Sequence, residues 1–347
     1  KLKPINSSIP YPDYHRKYPD PDIIGLIKII YVSKSYKIPK SNIYCLWKVS
    51  LQKQFYFFIK NLLFIRVVDP KFFRYTESHT YPSLLWYDLY NHNDREFIRK
   101  RSKSLYSKYY IKNKSETSIL FGTGPSINSV LEKDFSSYNT IICNSIVKND
   151  KILEKIKPNA ITFIDSVFHF GVSNYCEIFI QDVVKTVQKY GSFCFINEVG
   201  GALIYEQIPA LRNRLICFPT YRTGNPSLMT PNNFKSRFYA GSVVTRIMLQ
   251  LAAGMSEVIL MCGFDGRSEN EDYFWKHNSS TQYDDFMQSV KDSHPAFFDD
   301  TIYEDHYDEH CRVMSNIIEY IEEKGVRVFT LEKSYIPALS QREIKKK

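Results

Sequence analysis

Two glycines separated by one residue follow a short apolar stretch, in the segment Gly122-Thr123-Gly124-Pro125-Ser126. Glycine lets a backbone approach a ligand closely, and proline followed by serine commonly starts a helix, whose free N–H groups favour a phosphate. The segment is neither GxGxxG nor a P-loop, because the GK[ST] ending is absent. Taken alone, these residues are equally consistent with a plain tight turn.

Polar residues also end the next two apolar stretches. Asn144 follows the mostly apolar stretch 140–143, and Asp165 follows the mostly apolar stretch 160–164. The carboxyl ends of parallel strands lie along one edge of a sheet, where ligands bind. We therefore expect Asn144 and Asp165 to line one crevice with the glycine segment, which favours the binding interpretation.

A second glycine-containing segment, Gly263-Phe264-Asp265-Gly266-Arg267, follows the apolar residues 258–262. A carboxylate at a strand end can accept hydrogen bonds from ribose hydroxyls, and an arginine can pair with a phosphate. The alternative is an ordinary loop with a surface arginine.

Two histidines four residues apart, His306 and His310, lie at the start of a predicted helix. One interpretation is a metal site, although Glu309 adjoins the second histidine, so the HExxH pattern is not met. Another is that one histidine acts as a general base near neutral pH. The third is a pair of exposed histidines without a role in chemistry. The acidic pairs at 284–285 and 299–300 lie in loop contexts, and we expect them to be solvated.

Apolar stretches alternate with helical ones from residue 117 onward, which predicts a doubly wound, mostly parallel α/β sheet of the Rossmann-like type. The predicted strands are 118–121, 140–143, 160–164, 192–196, 215–218, 258–262 and 326–331, with helices at 242–254 and 310–324. We expect three regions: a mainly helical, basic and aromatic extension over 1–115, the nucleotide-binding domain over 116–339, and a basic tail over 340–347. The extension could dock on a membrane or bind the acceptor.

The chain has 347 residues with a net charge of +9, which favours an anionic partner. Its seven cysteines are scattered singly, as expected of packed free thiols in a reducing, cytoplasmic location. The amphipathic stretch 54–66 could lie on an anionic inner-membrane surface or pack on the main domain, and residues 95–115 suggest a charged helix and linker. No pattern typical of RNA binding is present, so we expect no nucleic-acid partner. The oligomeric state stays open.

In their order and spacing, these blocks resemble the bacterial family 42 sialyltransferases, which transfer sialic acid from a CMP donor to a glycan hydroxyl. The similarity runs from about Ser118 to Ser334. The blocks are the glycine segment, the strand ends at Asn144 and Asp165, Arg237 through Ser242 with its helix, Gly263-Phe264-Asp265, Tyr273 and His306-Tyr307-x-x-His310.

The resemblance implies a role for each block. Contacts to the donor or its nucleotide fall on Gly122, Thr123, Gly124, Pro125, Ser126, Asn144, Asp165, Arg237, Ser242, Gly263 and Asp265. Tyr273 and Arg267 would stabilise the departing phosphate, and His310 would be the general base. The family usually has asparagine where Thr123 and Asp165 stand. It needs no divalent metal or other cofactor.

The resemblance therefore implies an inverting, metal-independent glycosyltransferase that moves a nonulosonic acid from CMP to a hydroxyl of a surface glycan. The departures from the family pattern keep a CMP-Kdo-type transferase open, as well as a motility-associated factor that glycosylates flagellin. Two further functions also stay open: a magnesium-dependent enzyme similar to pterin diphosphokinases, and a non-catalytic module that binds a nucleotide or a glycan.

Overall fold

The computed structural model describes residues 43–45, 66–68, 92–135, 137–170, 173–220, 226–236, 242–267, 280–289 and 303–344. In this part of the chain, strands β1 to β9 are Ile43–Cys45, Arg66–Val68, Thr117–Phe121, Asn139–Cys143, Ala160–Thr162, Phe193–Asn197, Leu215–Phe218, Val258–Cys262 and Arg327–Thr330. Helices α1 to α7 are His92–Asn113, Asp150–Ile156, Ser166–Phe170, Asn174–Tyr190, Glu198–Gln207, Leu249–Ala253 and Tyr303–Glu323. Turns of 3₁₀ helix cover Pro125–Glu132, Asn144–Lys148, Pro209–Leu211 and Asp284–Phe286, and a π-helical turn, Val244–Met248, leads into α6.

Seven of these strands form one sheet in the order β7-β6-β5-β4-β3-β8-β9, and every pair in it is parallel. The strands are apolar over nearly their whole length and buried, as a sheet covered on both faces requires. This confirms the predicted doubly wound α/β fold.

The order in which the chain adds strands to the sheet reverses beside β3. From β3 the chain adds strands outward to β7, then returns and places β8 on the other side of β3, with Phe121 paired to Cys262 at their carboxyl ends. In open α/β sheets, ligands bind beyond the strand ends at such a reversal. The two glycine-containing segments start at these two strand ends.

Helix α1 is the charged helix predicted near residues 95–115, and it packs on the sheet. Tyr106 and Tyr109 are fully buried on its inner face. The Tyr106 hydroxyl donates to the Met229 carbonyl at 2.6 Å, and the Tyr109 hydroxyl to Asn139 Oδ1 at 2.9 Å. The expected boundary at residue 115 therefore falls inside a packed unit, since burial of these rings makes α1 part of the α/β core.

Residues 340–344, the described part of the predicted basic tail, return to the sheet, because the Ile344 N–H donates to the Thr330 carbonyl at 3.0 Å. The amphipathic stretch predicted at 54–66 lies outside the described residues, apart from Arg66, which begins β2. Among the described helices, none has an apolar stretch long enough to cross a bilayer.

The cysteines pack as the sequence predicts. Five of the described thiols are buried, at Cys143, Cys176, Cys194, Cys217 and Cys262. Burial raises the pKa of the Cys143 thiol to about 12 and that of Cys262 to about 11, so both stay protonated near neutral pH.

Candidate functional site

The glycine-containing loops after β3 and β8 pack backbone to backbone. The Gly122 N–H donates to the Cys262 carbonyl at 2.8 Å, and the Gly124 N–H to the Gly263 carbonyl at 2.9 Å. A Cβ on Gly122 would lie 2.3 Å from the Gly263 oxygen, and one on Gly124 would lie 2.0 Å from Asp265 Oδ2. The glycines are therefore required by the close approach of the second loop.

The Asp265 carboxylate joins these loops by binding Ser126. Its Oδ1 accepts from the Ser126 N–H at 3.2 Å, its Oδ2 accepts from the Ser126 hydroxyl at 3.0 Å, and that hydroxyl accepts from the Gly263 N–H at 3.1 Å. Burial raises the pKa of Asp265, while the bonds from Ser126 act in the opposite direction. The Ser126 amide that the sequence offers to a phosphate is thus taken by Asp265. The predicted ribose contact of Asp265 stays a prediction.

One residue of the first loop keeps its hydrogen-bond donors. The N–H groups on either side, of Gly122 and Gly124, are bound to the second loop, and exposed Pro125 has none. Thr123 is half-buried, and its N–H and hydroxyl have no partner within the described part of the chain. Its carbonyl accepts from the buried Thr281 hydroxyl at 3.0 Å, which fixes the Thr123–Gly124 peptide group. Thr123 is therefore the position of this loop whose donors are available.

Asn144 directly follows β4, whereas Asp165 lies three residues beyond the end of β5, which stops at Thr162. The two side chains also differ in their bonding. Asn144 adopts a left-handed backbone with φ of 47°, is half-buried, and its side chain meets no hydrogen-bond partner among the described residues. Such a conformation is uncommon for residues other than glycine. Asp165 Oδ1 instead accepts from the Phe168 N–H at 3.0 Å and caps α3. Asn144 thus has an amide available for a ligand, whereas the Asp165 charge is stabilised by its own helix.

The second loop meets the histidine-containing helix through Arg267 and Tyr307. The Arg267 N–H donates to the Tyr307 hydroxyl at 3.3 Å, and the guanidinium lies 4.8 Å from the ring centroid. His310 lies one turn further along α7 on the same buried side and is 5% exposed. Segments 263–267 and 306–310, both predicted from the sequence to carry chemistry, are therefore adjacent. For His306, only the backbone is described, within α7.

Ser242 begins the segment that leads into the π-helical turn and α6. Its hydroxyl oxygen is buried and has no hydrogen-bond partner among the described residues. A buried hydroxyl without a partner carries a desolvation cost that a ligand could remove. No hydrogen bond joins the Ser242 hydroxyl to either loop in the described part of the chain. Arg237 and Tyr273 lie outside the described residues.

Residues 280–289, the bridging segment, tie the elements of this edge together, a role that was not predicted. Thr281 binds the Thr123 carbonyl, and Gln282 accepts from Ser145 Oγ at 3.2 Å and from Lys148 Nζ. Buried Tyr283 donates to Asp182 Oδ2 of α4 at 2.6 Å. The acidic pair at 284–285 is exposed, as predicted. Its bonds join residues more than 100 positions apart in the chain, so no local pattern could have reported this role.

Groups that could hold a metal ion are sparse here. Within the described residues, no three histidine, cysteine, aspartate or glutamate side chains are gathered as ligands. The groups at this edge without a partner among the described residues are the Thr123 donors and the Asn144 amide, and the Arg267 cation packs on Tyr307.

Family models, curated proteins and solved structures contain no match to this chain. The fold class is established by the seven-stranded sheet itself. What the site binds has to be inferred from its own groups.

Proposed function

We propose that this chain is a CMP-sugar transferase that moves a nonulosonic acid, such as sialic acid, to a hydroxyl of a surface glycan. The observation that supports it most is a chain of contacts at the β3–β8 reversal. The loop that presents the Thr123 donors packs on the loop that carries Arg267, and Arg267 packs on the helix that carries His310.

The number of free hydrogen-bond donors in the first loop favours a monophosphate as its ligand. Loops that cradle a di- or triphosphate direct several backbone N–H groups at it. Here the bonds to Cys262, Gly263 and Asp265 leave the Thr123 N–H as the free amide of residues 122–126. One amide with one hydroxyl suits the single phosphate of CMP, and the Asn144 amide could bind the nucleoside.

The proposed reaction needs one proton acceptor and one charge at the leaving group. The acceptor hydroxyl oxygen attacks the anomeric carbon, and its proton goes to His310. The bond from that carbon to the phosphate oxygen breaks, and its electron pair stays on CMP. Arg267 stabilises the departing phosphate, together with Tyr273 in the role that the resemblance implies. Attack opposite the leaving group inverts the configuration.

A guanidinium held against an aromatic ring can carry the role that a divalent cation has in other nucleotide-sugar transferases. Arg267 has this setting, since its backbone and its guanidinium both contact Tyr307. We therefore propose that turnover persists without divalent metal.

The test is CMP release from a panel of donors that includes CMP-sialic acid and CMP-Kdo, with EDTA present. We expect transfer, or slow hydrolysis, of one donor, which would also name it. Activity that appears only with ATP and Mg²⁺ would contradict the proposal and favour a diphosphokinase.

A further inference from the structure

Helix α1 presents a line of exposed side chains on the side opposite its buried tyrosines. Phe97, Lys100, Ser104, Lys108 and Ile111 follow one another at intervals of three or four residues, so they share one side of the helix. Phe97 is 56% exposed and Ile111 is 81% exposed. We call this line, with the lysines beside it, the outward face of α1.

The charged side chains of the outward face are all cationic. From residue 97 to 114 the sequence has no acidic residue, and its cations are Arg99, Lys100, Arg101, Lys103, Lys108, Lys112 and Lys114. The two arginines have protein partners: Arg99 binds both carboxylate oxygens of Glu198 at 2.7 and 2.9 Å, and Arg101 binds the Arg212 carbonyl at 2.9 Å. All five lysines are exposed.

The domain holds this helix in a fixed orientation. Tyr106 and Tyr109 are buried against Phe195, with ring centroids 6.0 and 4.9 Å away. The Ser102 hydroxyl accepts from the N–H of Cys217 in β7 at 3.0 Å. The two exposed apolar side chains are therefore presented on a rigid helix, about 21 Å apart along its axis.

We infer that the outward face of α1 docks on an anionic lipid bilayer. Helices that lie in a membrane interface combine exposed aromatic or aliphatic side chains with lysines, which keep their charge at the headgroups. Phe97 and Ile111 would enter the headgroup boundary while the lysines between and beside them meet acidic lipids. A nucleic acid would match the charge but not the two apolar side chains. This inference does not depend on the proposed function.

The contact between Arg99 and Glu198 indicates how such docking would orient the domain. Glu198 directly follows the carboxyl end of β6, on the same edge of the sheet as the glycine-containing loops. The start of α1 and the candidate site therefore share one end of the sheet. A bilayer held against α1 would run alongside the sheet, with the candidate site at the level of Phe97.

The test is co-sedimentation of the full chain with vesicles of phosphatidylcholine alone or with about a third phosphatidylglycerol. One variant, Lys100→Gln with Lys108→Gln, removes two charges. Its matched control is Lys151→Gln with Lys155→Gln, two exposed lysines of α2. A second variant, Phe97→Ser with Ile111→Ser, removes the apolar pair, and Leu131→Ser, at an exposed position, is its control.

We expect binding only to the anionic vesicles, with an affinity that falls about fivefold per lysine removed. The apolar variant should lose at least tenfold, and both controls should bind like the unmodified chain. Unchanged binding of both α1 variants, or no binding of the unmodified chain, would overturn the inference. Loss of duplex DNA binding in the charge variant, without any effect of the apolar variant on vesicles, would assign the face to nucleic acid instead.

Discussion

The Asp265 carboxylate accepts hydrogen bonds from both the amide and the hydroxyl of Ser126, at 3.2 and 3.0 Å. These residues belong to the loops after β3 and β8, which meet where the strand order reverses. The carboxylate takes the amide that would otherwise be open to a phosphate, and it fixes one loop on the other. The Asp265 carboxylate thus holds the two loops together, while the N–H and hydroxyl of Thr123 remain available as donors.

Replacement of this anion should loosen both loops. We predict that Asp265→Ala lowers the free energy of unfolding by about 2 kcal/mol, because hydrogen bonds to a charged group contribute about that much. Urea denaturation measures the change. Asp284→Ala, at an exposed aspartate of the bridging segment, is the control and should change stability by less than about 0.5 kcal/mol. Equal effects of the two substitutions would contradict the assigned role.

The bridging segment should act on the donor site through Thr281. Thr281→Val keeps the shape of the side chain but removes the hydroxyl that binds the Thr123 carbonyl. We predict a KM for the CMP donor raised about tenfold, with kcat changed less, because the Thr123 peptide loses its orientation. Thr281→Ser retains the hydroxyl and should restore the original KM. A KM that is the same in the valine and serine variants would show that the bond has no part in donor binding.

Acid stability should depend on His169, which is buried in an aromatic cluster. Burial lowers the pKa of His169 from 6.5 to about 4, and the nearby Asp165 charge acts in the opposite direction. As the pH falls from 6.5 to about 4, the His169 side chain binds a proton in the unfolded chain but not in the folded chain. Stability is therefore lost on acidification from about 6.5 to 4, by up to roughly 3 kcal/mol.

The variant His169→Phe with Tyr175→Phe tests this, because it removes the imidazole and the hydroxyl that lies 3.1 Å from its Nδ1. Urea denaturation at pH 7 and pH 4.5 should show a smaller acid loss than in the unmodified chain. Tyr175→Phe alone keeps the imidazole and should keep the acid loss. If the double variant lost as much stability as the unmodified chain, His169 would not be the group responsible.

The predicted general base gives a kinetic test. His310→Gln should lower kcat roughly 10²- to 10⁴-fold, since no side chain would then accept the proton. CMP affinity should stay within about twofold. Glu309→Gln, at the neighbouring position, which is paired with Arg312, is the control. Full turnover by a folded His310→Gln variant would remove the assignment.

The sequence predicted the strand bounds correctly where polar residues directly flank an apolar run. Residues 215–218 and 258–262 match β7 and β8 at both ends, and Asn144 and Asp165 lie just beyond the carboxyl ends of β4 and β5. Their roles in binding stay predictions. Helix α4 was missed although its signals are present. Ser173 caps it by accepting from the Cys176 N–H at 3.1 Å, and Gly191 ends it with φ of 67°.

What could not be read from the sequence depends on contacts between distant residues. Ser126 and Asp265 are 139 positions apart, and Thr123 and Thr281 are 158 apart. No local sequence pattern shows which polar groups are already hydrogen-bonded within such pairs. The sequence therefore identified the candidate residues of the loops, but not that Ser126 and Asp265 satisfy each other while Thr123 stays available.

The most direct measurement is calorimetric titration with CMP of the unmodified chain and of Asn144→Gly. Glycine accepts the left-handed backbone of Asn144, so the variant removes only the side chain. Lys157→Gly, at a position with the same φ of 47° away from the site, is the matched control. We predict that CMP binds the unmodified chain and Lys157→Gly alike, and Asn144→Gly at least tenfold more weakly. Absence of CMP binding, or equal affinity in all three proteins, would contradict a CMP site at the reversal between β3 and β8.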